Sequence, residues 1–265
     1  MGYNTILLRK EDGVSLINLN RPKAMNAIND EMRSELGEAI DKVEADDDAR
    51  VLIITGSGNA FSAGADLNEF NDSYAQFRQS GRMGEFGGPD LALQFARFPK
   101  PIIAAINGVA VGWGMTMPVA CDIRLASPKA RFAAPFVRVG LTPEFGSCYL
   151  LQRLIGYGLA ADLFFSARMV DANEALAMGL VNRIVPHEHL LSEALSLAQA
   201  IAAHPRAALL RTKELLRRGM FESPLEGWIE HEAAVFMECM TGREHHEAVL
   251  NLLAELARKP KKQID

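Results

Sequence analysis

The sequence predicts an α/β fold in which strands and helices alternate, and three observations predict it. Two short, almost wholly apolar runs, Val51–Thr55 and Pro101–Ile106, have the pattern of strands covered on both faces, as parallel sheets require. From Asn29 the apolar period lengthens to 3.6, the mark of an amphipathic helix between strands. The chain has 265 residues, 49% of them hydrophobic and 23% charged, so it is long and apolar enough for a large buried core.

The elements follow in order. Thr5–Arg9 and Val14–Asn20 alternate apolar and polar residues and flank Asp12-Gly13, which predicts a hairpin. Met32, Leu36, Ile40 and Val43 then form one helical stripe that runs into Asp46-Asp47-Asp48. The Val51–Thr55 strand ends at Gly56 and opens into a Gly/Ser/Ala-rich loop. Asn71–Pro89, interrupted by Gly81, Gly84, Gly87 and Gly88, carries no periodicity and reads as a mobile loop. Pro101–Ile106 leads to Gly108, Cys121–Ala126 reads as a further strand, and a mostly helical stretch begins at Phe145. A strand is expected at Leu180–Val185, before Pro186. From His187 to Arg258 the pattern is helical throughout, broken at Pro205, Gly219 and Gly242. The expected organisation is therefore an α/β core over residues 1–200 and a helical region over 201–265.

Composition excludes several classes of function. Twenty-eight Lys and Arg against 33 Asp and Glu leave a net charge of −5, so no global basic field draws the chain to nucleic acid or an anionic membrane. Arg211, Lys213, Arg217 and Arg218 form a basic helix face with Glu214 among them and no interleaved aromatics, which reads as solvated surface. Cys121, Cys148 and Cys239 are odd in number and widely spaced, which fits a reducing, cytoplasmic setting rather than a disulfide framework or a zinc ribbon. No signal peptide, membrane span or C-terminal retention address is read. His187, His189, His245 and His246 lack the HExxH spacing and read as helix surface, so no metal is expected. Neither GxGxxG nor GxxxxGK[ST] occurs, and Ser62 in AFSAG falls short of a GxSxG elbow and reads as a small loop residue.

Three segments remain. Gly58–Leu67 and Asn107–Met115 each follow a buried strand and are rich in Gly and Ala; two such turns leading into helices can each offer a backbone N–H, and two converging N–H groups form an oxyanion hole. Gly140–Ser147 places Glu144 among apolar neighbours. Taken alone, Thr142-Pro143-Glu144 also reads as helix-start chemistry: an N-cap, a first-position proline and a first-turn acid.

In this order and spacing, together with LNRPKAMNAI (Leu19–Ile28), CDIRLAS (Cys121–Ser127) and ALAMGLVNRIV (Ala175–Val185), these segments resemble the crotonase superfamily, the enoyl-CoA hydratase/isomerase family, over nearly the whole chain. The resemblance implies a spiral of ββα turns and a C-terminal helical region that assembles a homotrimer or a dimer of trimers. It implies acyl-CoA thioester substrates, with coenzyme A entering as part of the substrate and no separate cofactor. By matching position it assigns the oxyanion N–H groups to Ala63 and Trp113. It places the coenzyme A moiety against Lys23, Ala24, Ala63, Gly64, Ala65, Asp66 and Leu67, with Arg258, Lys259, Lys261 and Lys262 available for phosphate. Hydratases of the family use two glutamates, and the matching positions here are Thr116 and Phe136. Glu144 instead matches the catalytic base of the peroxisomal-type Δ3,Δ2-enoyl-CoA isomerases. The expected activity is thus a shift of a 3-enoyl-CoA double bond to 2-trans-enoyl-CoA by one glutamate. The alternatives are an enoyl-CoA hydratase, an aroyl-CoA-processing member related to the dehalogenases, and a non-catalytic CoA-binding member.

Overall fold

A computed structural model of the chain describes residues 2–66, 69, 79–80 and 88–220. The hairpin forms from β1 (Ile6–Glu11) and β2 (Val14–Leu19), paired antiparallel through Asp12 and Gly13, both at positive φ as a tight hairpin turn demands. Helix α1 (Asp30–Ala45) starts where the Asn29 side chain accepts the Met32 N–H at 3.0 Å, with Asp30 and Glu31 in the first turn. Met32, Leu36, Ala39, Ile40 and Val43 are its buried face. At its far end the buried Lys100 ammonium donates to the carbonyls of Val43 (2.6 Å) and Asp46 (2.7 Å), which no further helical turn could satisfy.

From here the chain alternates between two sheets. β3 (Val51–Gly56), β5 (Ile102–Ile106) and β7 (Ile123–Ala126) join β2 in parallel within a six-stranded sheet that begins β1-β2-β3-β5-β7. Each is followed by a three-residue strand of a second sheet: β4 (Ala60–Ser62), β6 (Val109–Val111) and β8 (Arg131–Ala133), also parallel. β9 (Val170–Asp171) closes the small sheet antiparallel to β8, and β10 (Arg183–Ile184) closes the large one beside β7. Helices follow the strand pairs, at Gly88–Arg97 after β4, at Trp113–Val119 after β6, and at Ser147–Ile155 and Tyr157–Ser166 after β8. This is the repeated ββα turn that the resemblance implied.

Several boundaries differ from expectation. The Leu180–Val185 strand contracts to β10, and Cys121–Ala126 begins as a strand only at Ile123, because Asp122 turns its carboxylate to the Ile102 N–H at 2.7 Å. The Thr142-Pro143-Glu144 helix start does not form. The helix begins at Ser147, because Phe145 and Gly146 both lie at positive φ, which a right-handed helix cannot include. Of Asn71–Pro89, only Gln79, Ser80, Gly88 and Pro89 are described, all helical; the rest of the expected loop lies outside the described residues.

Two compact units divide the chain, Met1–Ile201 and Ala202–Asp265. The first holds both sheets and the apolar core. In the second, the described residues include the helix Arg206–Gly219, where Glu214 meets Arg211 at 3.0 Å and Arg218 at 3.8 Å. Lys213, read as part of that solvated face, is buried. Residues 221–265, with Cys239, His245, His246 and the basic tail, lie outside the described residues. No helix among the described residues is long and apolar enough to cross a membrane, and no group of three His, Cys, Asp or Glu side chains among them could hold a metal ion.

Candidate active site

The turns after β4 and β6 are drawn together by contacts only glycine permits. Gly64 lies at φ +98, and a β-carbon there would stand 2.8 Å from the Val111 carbonyl oxygen; one at Gly114 would stand 2.1 Å from that of Ser62. The start of the Trp113–Val119 helix is therefore pressed against residues 62–64. Ser62 is a strut here, as its small-residue reading suggested: its buried hydroxyl donates to the Asn26 carbonyl (2.8 Å) and accepts from the Gly64 N–H (3.2 Å). The buried Asn26 side chain donates to the carbonyls of Ser57 (2.9 Å) and Ala60 (2.8 Å), fixing the loop that leads into β4.

One expected oxyanion donor is corrected. The Ala63 N–H donates to the Met25 carbonyl at 2.9 Å and is not available to a ligand. Two residues on, Ala65 forms a parallel bridge with Ile28, carried by Ile28 N–H to Gly64 O (2.7 Å) and Asp66 N–H to Ile28 O (3.0 Å). In a parallel bridge the flanking groups make the bonds, so the central residue's own N–H points away. The Ala65 N–H accordingly has no acceptor among the described residues. Trp113 is the first residue of its helix, and the Gly112 carbonyl takes up the N–H groups of Met115 and Thr116.

Glu144 reaches the same helix one turn further along. The Thr116 hydroxyl donates to its Oε1 at 2.8 Å, and Oε2 is buried with no hydrogen-bond partner among the described residues. Burial raises the carboxyl from its ordinary 4.5 to about 7, against a smaller opposing effect of the Thr116 bond. The carboxylate is aimed by its loop. Phe145 sits at φ +59, strained for a bulky residue, and Ser147 holds the Glu144 carbonyl through its N–H (3.0 Å) and hydroxyl (2.6 Å). Phe145 packs edge-on against Trp113, with ring centroids 5.6 Å apart, and Phe136 is buried nearby in the same core. Neither Thr116 nor Phe136, which the resemblance matches to the hydratase glutamates, supplies a carboxylate.

The residues expected to meet coenzyme A fall on neighbouring segments. Lys23 and Ala24 lie on a 3-10 turn (Pro22–Ala24), and the residues that follow it, Met25 and Ile28, bond to Ala63, Gly64 and Asp66 of the β4 loop. The Asp66 carboxylate is already paired with Arg21 at 3.0 Å, which gives it a structural task, while the Lys23 side chain is exposed. Leu67 lies outside the described residues. Sequence reasoning missed Thr116 as the partner of Glu144, Ala65 as a donor, and the pairing of His187 with Ser127 (Nδ1 to Oγ, 2.9 Å). All three depend on contacts between segments distant in the chain and have no local signature in the sequence.

Comparison with known proteins adds to this geometry. The family model described as enoyl-CoA hydratase/isomerase matches residues 9–260. The chain is 36% identical to a short-chain-enoyl-CoA hydratase of Clostridium acetobutylicum, over 94% of each protein. It is 37% identical to the 1,2-epoxyphenylacetyl-CoA isomerase of Escherichia coli, over 80% of this chain and 81% of that one. The crystal structure of an enoyl-CoA hydratase from Bacillus anthracis superposes with a TM-score of 0.87 at 29% identity, over 95% of this chain and 97% of the other. Most of the similar proteins carry hydratase names, and none of these three is named a Δ3,Δ2-isomerase. The two-sheet spiral, the paired glycine-packed turns and the family match together make this chain a member of the enoyl-CoA hydratase/isomerase family, with the crotonase fold.

Proposed function

We propose that the chain binds an enoyl-CoA thioester with its carbonyl oxygen at the N–H groups of Ala65 and Trp113, and moves the double bond with Glu144 as the sole acid and base. The observation that carries this reading is the half-buried Glu144 carboxylate, held at one oxygen by Thr116 and raised to about 7. A 3-enoyl thioester loses a proton from C2 to Glu144, the negative charge spreads over a dienolate held at the oxyanion site, and the same proton returns at C4. One base suffices because the group that removes the proton also delivers it. Coenzyme A takes part only as the thioester carrier, along Lys23, Ala24 and the 63–66 loop.

Hydration is the second reading, and the hydratase names of similar proteins favour it over isomerisation. It would require Glu144 to activate water with only the Thr116 hydroxyl beside it, where hydratases of the family place a second glutamate. The test is a spectrophotometric assay with trans-3-hexenoyl-CoA and, separately, with trans-2-hexenoyl-CoA in water. Conversion of the first without hydration of the second supports isomerisation. Hydration of the second replaces the proposal with the hydratase reading.

A further inference from the structure

We propose that the Trp113 side chain, clamped between Phe145 and Arg33, is the end wall of the acyl pocket and restricts the enzyme to short-chain aliphatic thioesters. The inference rests on the acyl-CoA reading above for where the thioester lies. Trp113 and Thr116 are three residues apart on one helix and so share a face, Thr116 bonding Glu144 and Trp113 packing on the next residue, Phe145. An acyl chain whose carbonyl sits at the start of this helix, and whose C2 and C4 meet Glu144, must continue past the residues next to that carboxylate.

Those residues form a closed stack. Trp113 meets Phe145 edge-on at 5.6 Å and 71°, and Phe145 meets Phe95 edge-on at 5.3 Å and 75°. The three side chains are 2%, 5% and 0% exposed. On Trp113 the Arg33 guanidinium carbon lies 5.7 Å from the ring centroid, a cation–π contact. Arg33 is itself fixed by Asp30, on the same turn of α1, and by Glu69 at 3.8 Å. The Trp113 ring therefore has an aromatic neighbour on one side and a cation on another. It is a filled wall and not an open platform, which favours a short aliphatic acyl group over an aromatic one. In a hydrophobic pocket one surplus methylene already costs about 10–200-fold in specificity.

The test is the chain-length profile of kcat/KM for trans-3-hexenoyl-CoA against trans-3-dodecenoyl-CoA, in the wild type and in Trp113→Leu and Trp113→Ala. Calorimetric affinities for hexanoyl-CoA, dodecanoyl-CoA and benzoyl-CoA accompany it. The wild type is expected to favour the six-carbon thioester by about 100-fold or more, and the two variants to reduce that preference stepwise, by roughly tenfold or more at alanine. Because the readout is a ratio, a general loss of activity in a variant does not obscure it, and Trp113→Leu serves where Trp113→Ala fails to fold. The saturated thioesters and benzoyl-CoA bind without turnover. A length preference in binding that the variants relax, with no isomerisation by the wild type, upholds the wall and overturns the isomerase reading. Equal use of both lengths by the wild type, an unchanged profile in the variants, or tighter binding of benzoyl-CoA than of hexanoyl-CoA overturns the wall.

Discussion

Glu144 combines a carboxylate's chemistry with a site that resists its charge. One oxygen is held by Thr116, the other is buried without a partner among the described residues, and burial lifts the group to about 7. In the proposed reaction the carboxylate form takes the proton from C2, so kcat/KM is expected to rise with pH to a plateau, half-maximal near 7. Glu144→Gln is expected to lower kcat by ~10²–10⁴-fold while leaving the affinity for hexanoyl-CoA within a few fold. Activity retained in that variant removes Glu144 from the mechanism. Thr116→Val deletes the bond that holds the carboxylate form, so the midpoint of the pH profile should move up, not down. The same burial has a cost in stability. The folded state binds this proton more tightly than the unfolded chain, so the contribution is fully present below 4.5 and is lost as pH rises to about 7. Above that pH the wild type carries a penalty of up to about 3 kcal/mol that glutamine does not. Denaturant titrations should therefore find Glu144→Gln gaining on the wild type between pH 4.5 and 7 and level thereafter; a constant difference contradicts the assignment.

The elements show where the sequence was legible. Apolar runs in β3 and β5, the Asp12-Gly13 turn and the Asn29 cap are local signals, and each element stands within a residue or two of its expected place. The strands of the small sheet are two or three residues long, too short for any period to show. Glu144 was legible as a residue but not as a geometry, since the positive φ at Phe145 is imposed by packing on Trp113 and Phe95 rather than by its own preference. Ala63 was misassigned because its partner, the Met25 carbonyl, comes from a turn distant in sequence. The Trp113–Val119 helix links these features, and its seat depends on Gly114. A methyl group there meets the Ser62 carbonyl at 2.1 Å, so Gly114→Ala must push the helix off the β4 loop. The expected cost is about 1–3 kcal/mol by thermal or denaturant unfolding, with a loss of kcat/KM larger than that destabilisation explains, because the oxyanion donors separate. Equal activity in a destabilised variant would place the oxyanion site elsewhere.

At the scale of the molecule, the candidate site draws on segments far apart in the chain: the 3-10 turn at Pro22–Ala24, the 63–66 loop, the start of the Trp113–Val119 helix and Glu144. None of these positions is held by one element alone, so a thioester that spans them binds the folded unit and not the unfolded chain. Ligand binding and global stability are then one equilibrium, and a ligand at a hundredfold excess over its Kd should add about 2.7 kcal/mol. For a unit of this size that corresponds to roughly 5–10 °C in Tm. The C-terminal region over 201–265, expected from the sequence to be helical, is proposed to join copies of the chain. Light scattering on the intact protein should give about three times the 29.0 kDa chain mass, or six times for a dimer of trimers. The thermal shift should appear with hexanoyl-CoA in Glu144→Gln as in the wild type, because that substitution removes a proton carrier and leaves the binding segments in place. It should shrink in Gly114→Ala, where the segments themselves part. A shift abolished by Glu144→Gln and kept in Gly114→Ala would reverse the assignment, making the carboxylate the anchor of the ligand and the glycine-packed turns a mere scaffold.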